Sequence, residues 1–132
     1  MPGYTVKSLD EVENIFEGNY PGEMRMMTRD LDAEQVAFTY RRMPQHTGGK
    51  GSYGHRHKEQ EELYFVISGK LQFKLEDEVL ELSRGAAVRV APEVARSVWN
   101  DEPEDAELII VSKRIADPQG DSVQVPDFWA AE

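Results

Sequence analysis

Cysteine is absent from all 132 residues of the chain. A disulfide framework, a thiolate nucleophile and thiolate ligation of a metal are therefore excluded. No apolar run approaches the ~18 residues that a membrane-spanning helix needs. The opening, MPGYTVKSLDEVENIF, has no basic flank followed by an apolar stretch, so a secretory signal is not expected. Positive charge is also scarce: 15 Lys and Arg stand against 25 Asp and Glu, a formal net charge of −10. That balance disfavours phosphate backbones and anionic lipid, and no basic stripe with interleaved aromatics is present. Neither nucleic acid nor membrane is an expected partner, and the cytoplasm is the expected compartment. There is no Ser/His/Asp signature and no separate carboxylate pair that spacing would bring together.

What is present is a succession of short extended segments. Ser8-Leu9-Asp10-Glu11 has the spacing of a capping box and predicts a short N-terminal helical turn with Val12, Ile15 and Phe16 on one side. GNYPG, residues 18–22, is a turn by composition. Met24 to Leu31 is expected to be a strand, broken by Asp32-Ala33-Glu34. Gln35 to Met43 alternates, with Val36, Phe38 and Tyr40 on one face and Ala37, Thr39 and Arg41 on the other. Leu63–Ile67, Lys70–Leu75, Val79–Leu82, Gly85–Val90, Ser97–Trp99 and Glu107–Lys113 continue the pattern, separated by Gly, Pro, Asn and Asp. Many short strands with little helix predict an all-β barrel or sandwich. One domain over residues 1–132 is expected, with a core barrel over about 35–113 and a turn-rich tail over 114–132. The tail carries Phe128 and Trp129, read either as packing on its own barrel or as a partner contact.

Two of the three histidines, His55 and His57, lie two residues apart just after the glycine-rich segment Gln45–Gly54. That segment leads into a strand rather than a helix, so a phosphate-cradling loop does not apply. On a strand, residues i and i+2 share a face, and two imidazoles on an inward face can converge on one ion. Glu62 follows and opens the strand-like run LYFVIS. Two His and one carboxylate form a donor set used for iron, manganese and zinc. The adjacent Glu61 competes with Glu62 but points to the opposite face. Tyr64 shares parity with Glu62 and is a candidate lining residue, or a core ring. His46, in the glycine-rich segment, is read as solvated or hydrogen-bonded.

Gly49, His55, His57, Glu62 and Gly69, in the spacing G-x5-H-x-H-x4-E-x6-G, resemble the first motif of the cupin superfamily. The second motif of that superfamily runs from a glycine through a Pro-rich turn to a fourth ligand histidine and then an asparagine. Gly85, Pro92 and Asn100 stand in register with it, but Glu93 replaces the turn glycine and Arg96 replaces the histidine. The resemblance covers roughly Met43 to Val111. It implies a cupin-type double-stranded β-helix, or jelly-roll, barrel in which His55, His57 and Glu62 are metal ligands. It also implies a homodimer, as in other small single-domain cupins.

Arg96 decides between readings. A guanidinium about 4 Å from a dication, at an effective dielectric of ~20, is unfavourable by roughly 8 kcal/mol before screening. Glu62 offsets part of this, and the arginine is long enough to bend away. Either the site holds a divalent ion (Fe, Mn, Zn or Ni), or it holds none and Glu62 pairs with Arg96. An inward Arg96 also offers a planar fork to the carboxylate or other anion of a small ligand. Two functional readings remain open. One is a small-molecule-binding barrel with a degenerate metal-capable pocket, in its simplest form a metal-free sensor. The other is a metal-dependent enzyme of dioxygenase or isomerase type acting on a small anionic substrate.

Overall fold

The computed structural model describes residues 3–131. Eleven strands build two antiparallel sheets. The first sheet has the order β1-β2-β10-β5-β8, formed by Glu23–Met26, Val36–Met43, Ala106–Lys113, Glu62–Ser68 and Ala87–Val90. The second has the order β11-β4-β9-β6-β7, formed by Ser122–Val125, Gly54–His57, Arg96–Asn100, Lys70–Leu75 and Glu78–Ser83. A two-residue strand β3, Thr47–Gly48, also pairs with β9. This is the double-stranded β-helix barrel expected from the sequence.

Alternation places the core. On β5, Tyr64 and Val66 are buried while Leu63, Phe65 and Ile67 face out. Across the barrel, Leu71 and Phe73 of β6 and Val98 of β9 meet them, with Met43, Val90, Ala106 and Leu108 closing one cluster. Tyr64 and Phe73 meet edge to face, their ring centroids 5.4 Å apart. The β5–β6 hairpin turns at Gly69, whose φ of 78° is left-handed. A side chain there would also come within 2.9 Å of Ala106 and the Asp105 carbonyl, so only glycine fits.

Most expected strands are found within one or two residues, and three segments differ. The expected strand Met24–Leu31 is β1 only to Met26; Met27–Asp30 forms a single helical turn, α1. The Thr28 hydroxyl accepts the Phe38 N–H at 2.9 Å, and Met27 is buried, so tertiary contacts turn the chain inward. At the N-terminus the helical turn is confined to Leu9–Glu11, where the Ser8 N–H donates to the Glu11 carboxylate. The chain is already extended at Val12, which is buried, whereas Ile15 is exposed. The tail is not only turns. Pro118–Asp121 makes a helical turn, α2, capped by Asp117, and β11 pairs with β4 in the register Ser122 to His57 and Gln124 to His55. Trp129 is buried, and its carbonyl accepts the Gly51 N–H at 2.7 Å, so the tail packs on its own barrel.

Candidate metal centre

The centre lies where the inner face of β5 meets the end of β4. Pairing of β4 with β9 sets the Cα of His55 opposite that of Arg96, and the His57 N–H donates to the Pro92 carbonyl at 2.8 Å. Gly54, just before His55, permits this approach: a Cβ there would lie 2.4 Å from the Phe128 ring and 2.6 Å from the Arg96 carbonyl. The two imidazoles stand edge to face at 5.0 Å. His55 Nε2 lies 3.8 Å from Glu62 Oε1, and His57 Nε2 lies 3.5 Å from Glu62 Oε2. One donor atom from each of the three falls within 4.8 Å of the others. Among the described residues this is the one such group of three.

The surroundings fix these donors. Asp121, from α2, is buried and places Oδ2 3.0 Å from His57 Nδ1. The same carboxylate accepts the backbone N–H groups of Glu59 and Gln60, at 2.7 and 3.2 Å. Burial pushes the Asp121 carboxyl upward, but these two donors and His57 outweigh it and hold it below the ordinary carboxylate range. An ionised Asp121 keeps the proton of His57 on Nδ1 and turns Nε2, with its lone pair, into the barrel. That Nε2 is buried and has no hydrogen-bond partner. A buried, unpartnered imidazole nitrogen beside a second imidazole and a carboxylate fits a borderline divalent ion.

Glu62 is held from the other side. The Tyr64 hydroxyl donates to Oε1 at 2.6 Å. Burial raises the Glu62 carboxyl, and His55, His57 and Tyr64 more than reverse the effect, leaving it well below the usual range. Tyr64 is pushed well above its ordinary value, by burial first and then by the charge on Glu62. Tyr64 thus both lines the pocket and belongs to the core cluster. Glu61 points outward, as parity predicts, and pairs with Arg89 at 2.9 Å.

Arg96 is fully buried. Its Nε lies 3.7 Å from Glu62 Oε1 with no hydrogen bond of its own. Its terminal nitrogens face the carbonyls of Val90, Ala91 and Pro92, at 3.5, 3.1 and 3.4 Å. The guanidinium is long enough to be drawn toward the β8 end, so its charge is shared with three carbonyls. Asn100, from the same motif, is structural: its amide donates to the carbonyls of Met43 and Glu104, both at 2.8 Å. His46 is exposed and stacks on Trp99, with ring centroids 6.0 Å apart, outside this group.

The centre opens into a cleft of about 1150 Å³. Its walls include Ala37, Thr39 and Arg41 of β2, Met24 and Met26 of β1, Phe16 and Tyr20 of the N-terminal segment, and Tyr53. Asp121 and Arg41 were not among the sequence candidates. Asp121 lies 64 residues from His57, and no spacing rule joins them. Arg41 did carry a signal, a charge on one face of an alternating strand, but alternation does not say which face is inward.

Comparison with known proteins agrees with this architecture. Residues 42–112 match the family model described as a cupin domain. No curated protein matches the chain. A structure described as a sugar phosphate isomerase from a cupin superfamily, from Silicibacter pomeroyi, is 16% identical with a TM-score of 0.72, over 93% of each chain. One described as a predicted oxalate decarboxylase, from Thermotoga maritima, is 18% identical with a TM-score of 0.67, over 84% of this chain and all of that one. Against a structure from Acidithiobacillus ferrooxidans, 17% identical with a TM-score of 0.60, the match covers 71% of this chain and spans only 60% of the other. At these identities the likeness is one of fold. With more than half its length matched by the family model and its barrel built in the same way, the chain belongs to the cupin family.

Proposed function

We propose that the protein is a small-molecule-binding cupin whose His55, His57 and Glu62 hold one divalent ion. The observation that carries this reading is His57 Nε2, buried and unpartnered while Asp121 occupies the other ring nitrogen. A bound ion would supply Lewis acidity or a redox centre, with open positions for a ligand's oxygen atoms. The chain's own residues do the rest. Asp121 orients His57, Tyr64 orients Glu62, and Arg96 balances the Glu62 charge from behind. The cleft is large enough for a metabolite-sized ligand. The neighbours described as a sugar phosphate isomerase and a predicted oxalate decarboxylase are named for small anionic substrates, which supports an anionic ligand here.

A metal-free barrel is the second reading, favoured by the approach of Arg96 Nε to Glu62. Thermal melting of chelator-stripped protein separates the two. Iron, manganese, zinc or nickel at a hundredfold excess over Kd should add about 2.7 kcal/mol of stability. The gain should vanish in His55→Ala/His57→Ala. No shift with any of the four ions favours the metal-free barrel. Oxygen uptake with small carboxylates and enols, dependent on the same histidines, would mark an enzyme; ligand-induced melting shifts without uptake would mark a binder.

A further inference from the structure

Arg41 faces the cleft and, among the described residues, forms no ion pair with a carboxylate. Strand register fixes its place. On the inner face of the first sheet, Glu62, Ser112 and Ala37 form one row, Tyr64, Ile110 and Thr39 the next, and Val66, Leu108 and Arg41 a third. Met24 of β1 continues that third row. The Arg41 backbone is therefore two rows from the metal centre, ~13 Å along the strands. Tyr64, in the row between, hydrogen-bonds Glu62.

The guanidinium lines the cleft, and its Nε is buried with no hydrogen-bond partner. It lies 5.6 Å from the centroid of the Phe16 ring. Burial lowers its pKa, and the ionisable groups that act against this are three phenols, Tyr20, Tyr64 and Tyr53, and no carboxylate. In a chain with 25 acidic residues that isolation is unusual. Arg25, on the neighbouring strand β1, and Arg42, next to Arg41 on β2, both engage Glu23. Arg41 as a residue is half-buried, but its Nε is cut off from water, and a buried donor is costly unless something supplies an acceptor. Water or a ligand entering the cleft must supply it, and a planar fork of donors matches a carboxylate or phosphate.

We infer that Arg41 is a second binding point of the cleft, taking the anionic group, carboxylate or phosphate, of a ligand whose other end reaches the metal centre. This deepens the proposed function and rests on it only for the metal end. The ligand class is then two-ended: an oxygen-donor end for the ion, an anion for Arg41, and a partly apolar body against Met24, Leu108 and Phe16.

The test is calorimetric titration of the full chain, as purified, with sodium benzoate and with inorganic phosphate, in the parent and in Arg41→Met. Metal content is measured on both proteins. The parent should bind at least one anion at one equivalent, and Arg41→Met should bind it at least tenfold more weakly at unchanged metal content. Benzoate alone assigns a carboxylate ligand, and phosphate alone a phosphate-bearing one. No saturable binding of either by the parent, or equal binding by the variant, overturns the inference. If Arg41→Met does not fold, the Arg41 Nε–Hε resonance of the unaltered protein should move as the anion saturates; a fixed resonance overturns it equally. His55→Ala/His57→Ala keeps Arg41. Anion binding retained there, with no metal in variant or parent, would sink the metal reading and leave Arg41 standing.

Discussion

Three side chains offer donor atoms to an ion, and two others decide how well they do so. Asp121 fixes His57 by a buried contact of 3.0 Å. Such carboxylate–histidine pairs typically set metal affinity by 10–100-fold. Asp121→Asn removes the charge and turns an amide toward the Glu59 and Gln60 N–H groups. Divalent-metal affinity, measured by competition with a chromophoric chelator, should fall by about 10–100-fold. Affinity unchanged in a folded Asp121→Asn would show that the pair does not tune the site. Arg96 acts in the opposite sense, since its Cα stands opposite His55 and its charge faces the donors. Arg96→His replaces that charge with a neutral nitrogen, so affinity for zinc or nickel should rise at least tenfold. Stability should fall by about 1–3 kcal/mol, because the carbonyls of Val90, Ala91 and Pro92 lose their donors. A folded Arg96→His with unchanged metal affinity would contradict this account of Arg96.

At the level of elements, the most legible barrel strands were those with one face buried and the other wet. β5, with its bulky and β-branched residues alternating in and out, is the clearest case. The glycines, prolines and acidic pairs between strands marked the turns. The His-x-His spacing put two donors on one face by a strand's period, and Glu62 joins them from the start of the next strand, β5. What escaped were features made by contact between distant segments. β11 is four residues long, and its order depends on pairing with β4. α1 interrupts an apparent strand because Met27 is buried and Thr28 bonds Phe38. Asp121 reaches the centre only because the tail folds back, and Trp129 helps to keep it there. Trp129 is 6% exposed, its carbonyl tied to Gly51. Trp129→Ala should cost about 3 kcal/mol in denaturant unfolding. A loss below 0.5 kcal/mol would mean that the tail adds little to the fold.

Across the whole molecule, acidic residues outnumber basic ones, and two arginines, the buried Arg96 and the half-buried Arg41, stand in the cleft that the barrel encloses. That contrast suits a pocket that concentrates one small anion in a protein that repels polyanions. Among the described residues no helix is long and apolar enough to cross a membrane. Outward on β5, Leu63, Phe65 and Ile67 are 47%, 40% and 37% exposed in one line. That apolar face is the surface a homodimer, expected from the resemblance, would bury. For such a dimer sedimentation equilibrium should return twice the chain mass of 15.0 kDa, and a monomer at micromolar concentration would contradict the expectation. The central claim is that the three-donor site holds an ion with Arg96 beside it. Elemental analysis tests it most directly, on tag-free protein purified without chelator, beside His55→Ala/His57→Ala. The account predicts close to one divalent ion per chain in the parent and none in the double variant. No metal in either, even after reconstitution with iron, manganese, zinc and nickel, would contradict it and leave an ion-paired interior built on Glu62 and Arg96.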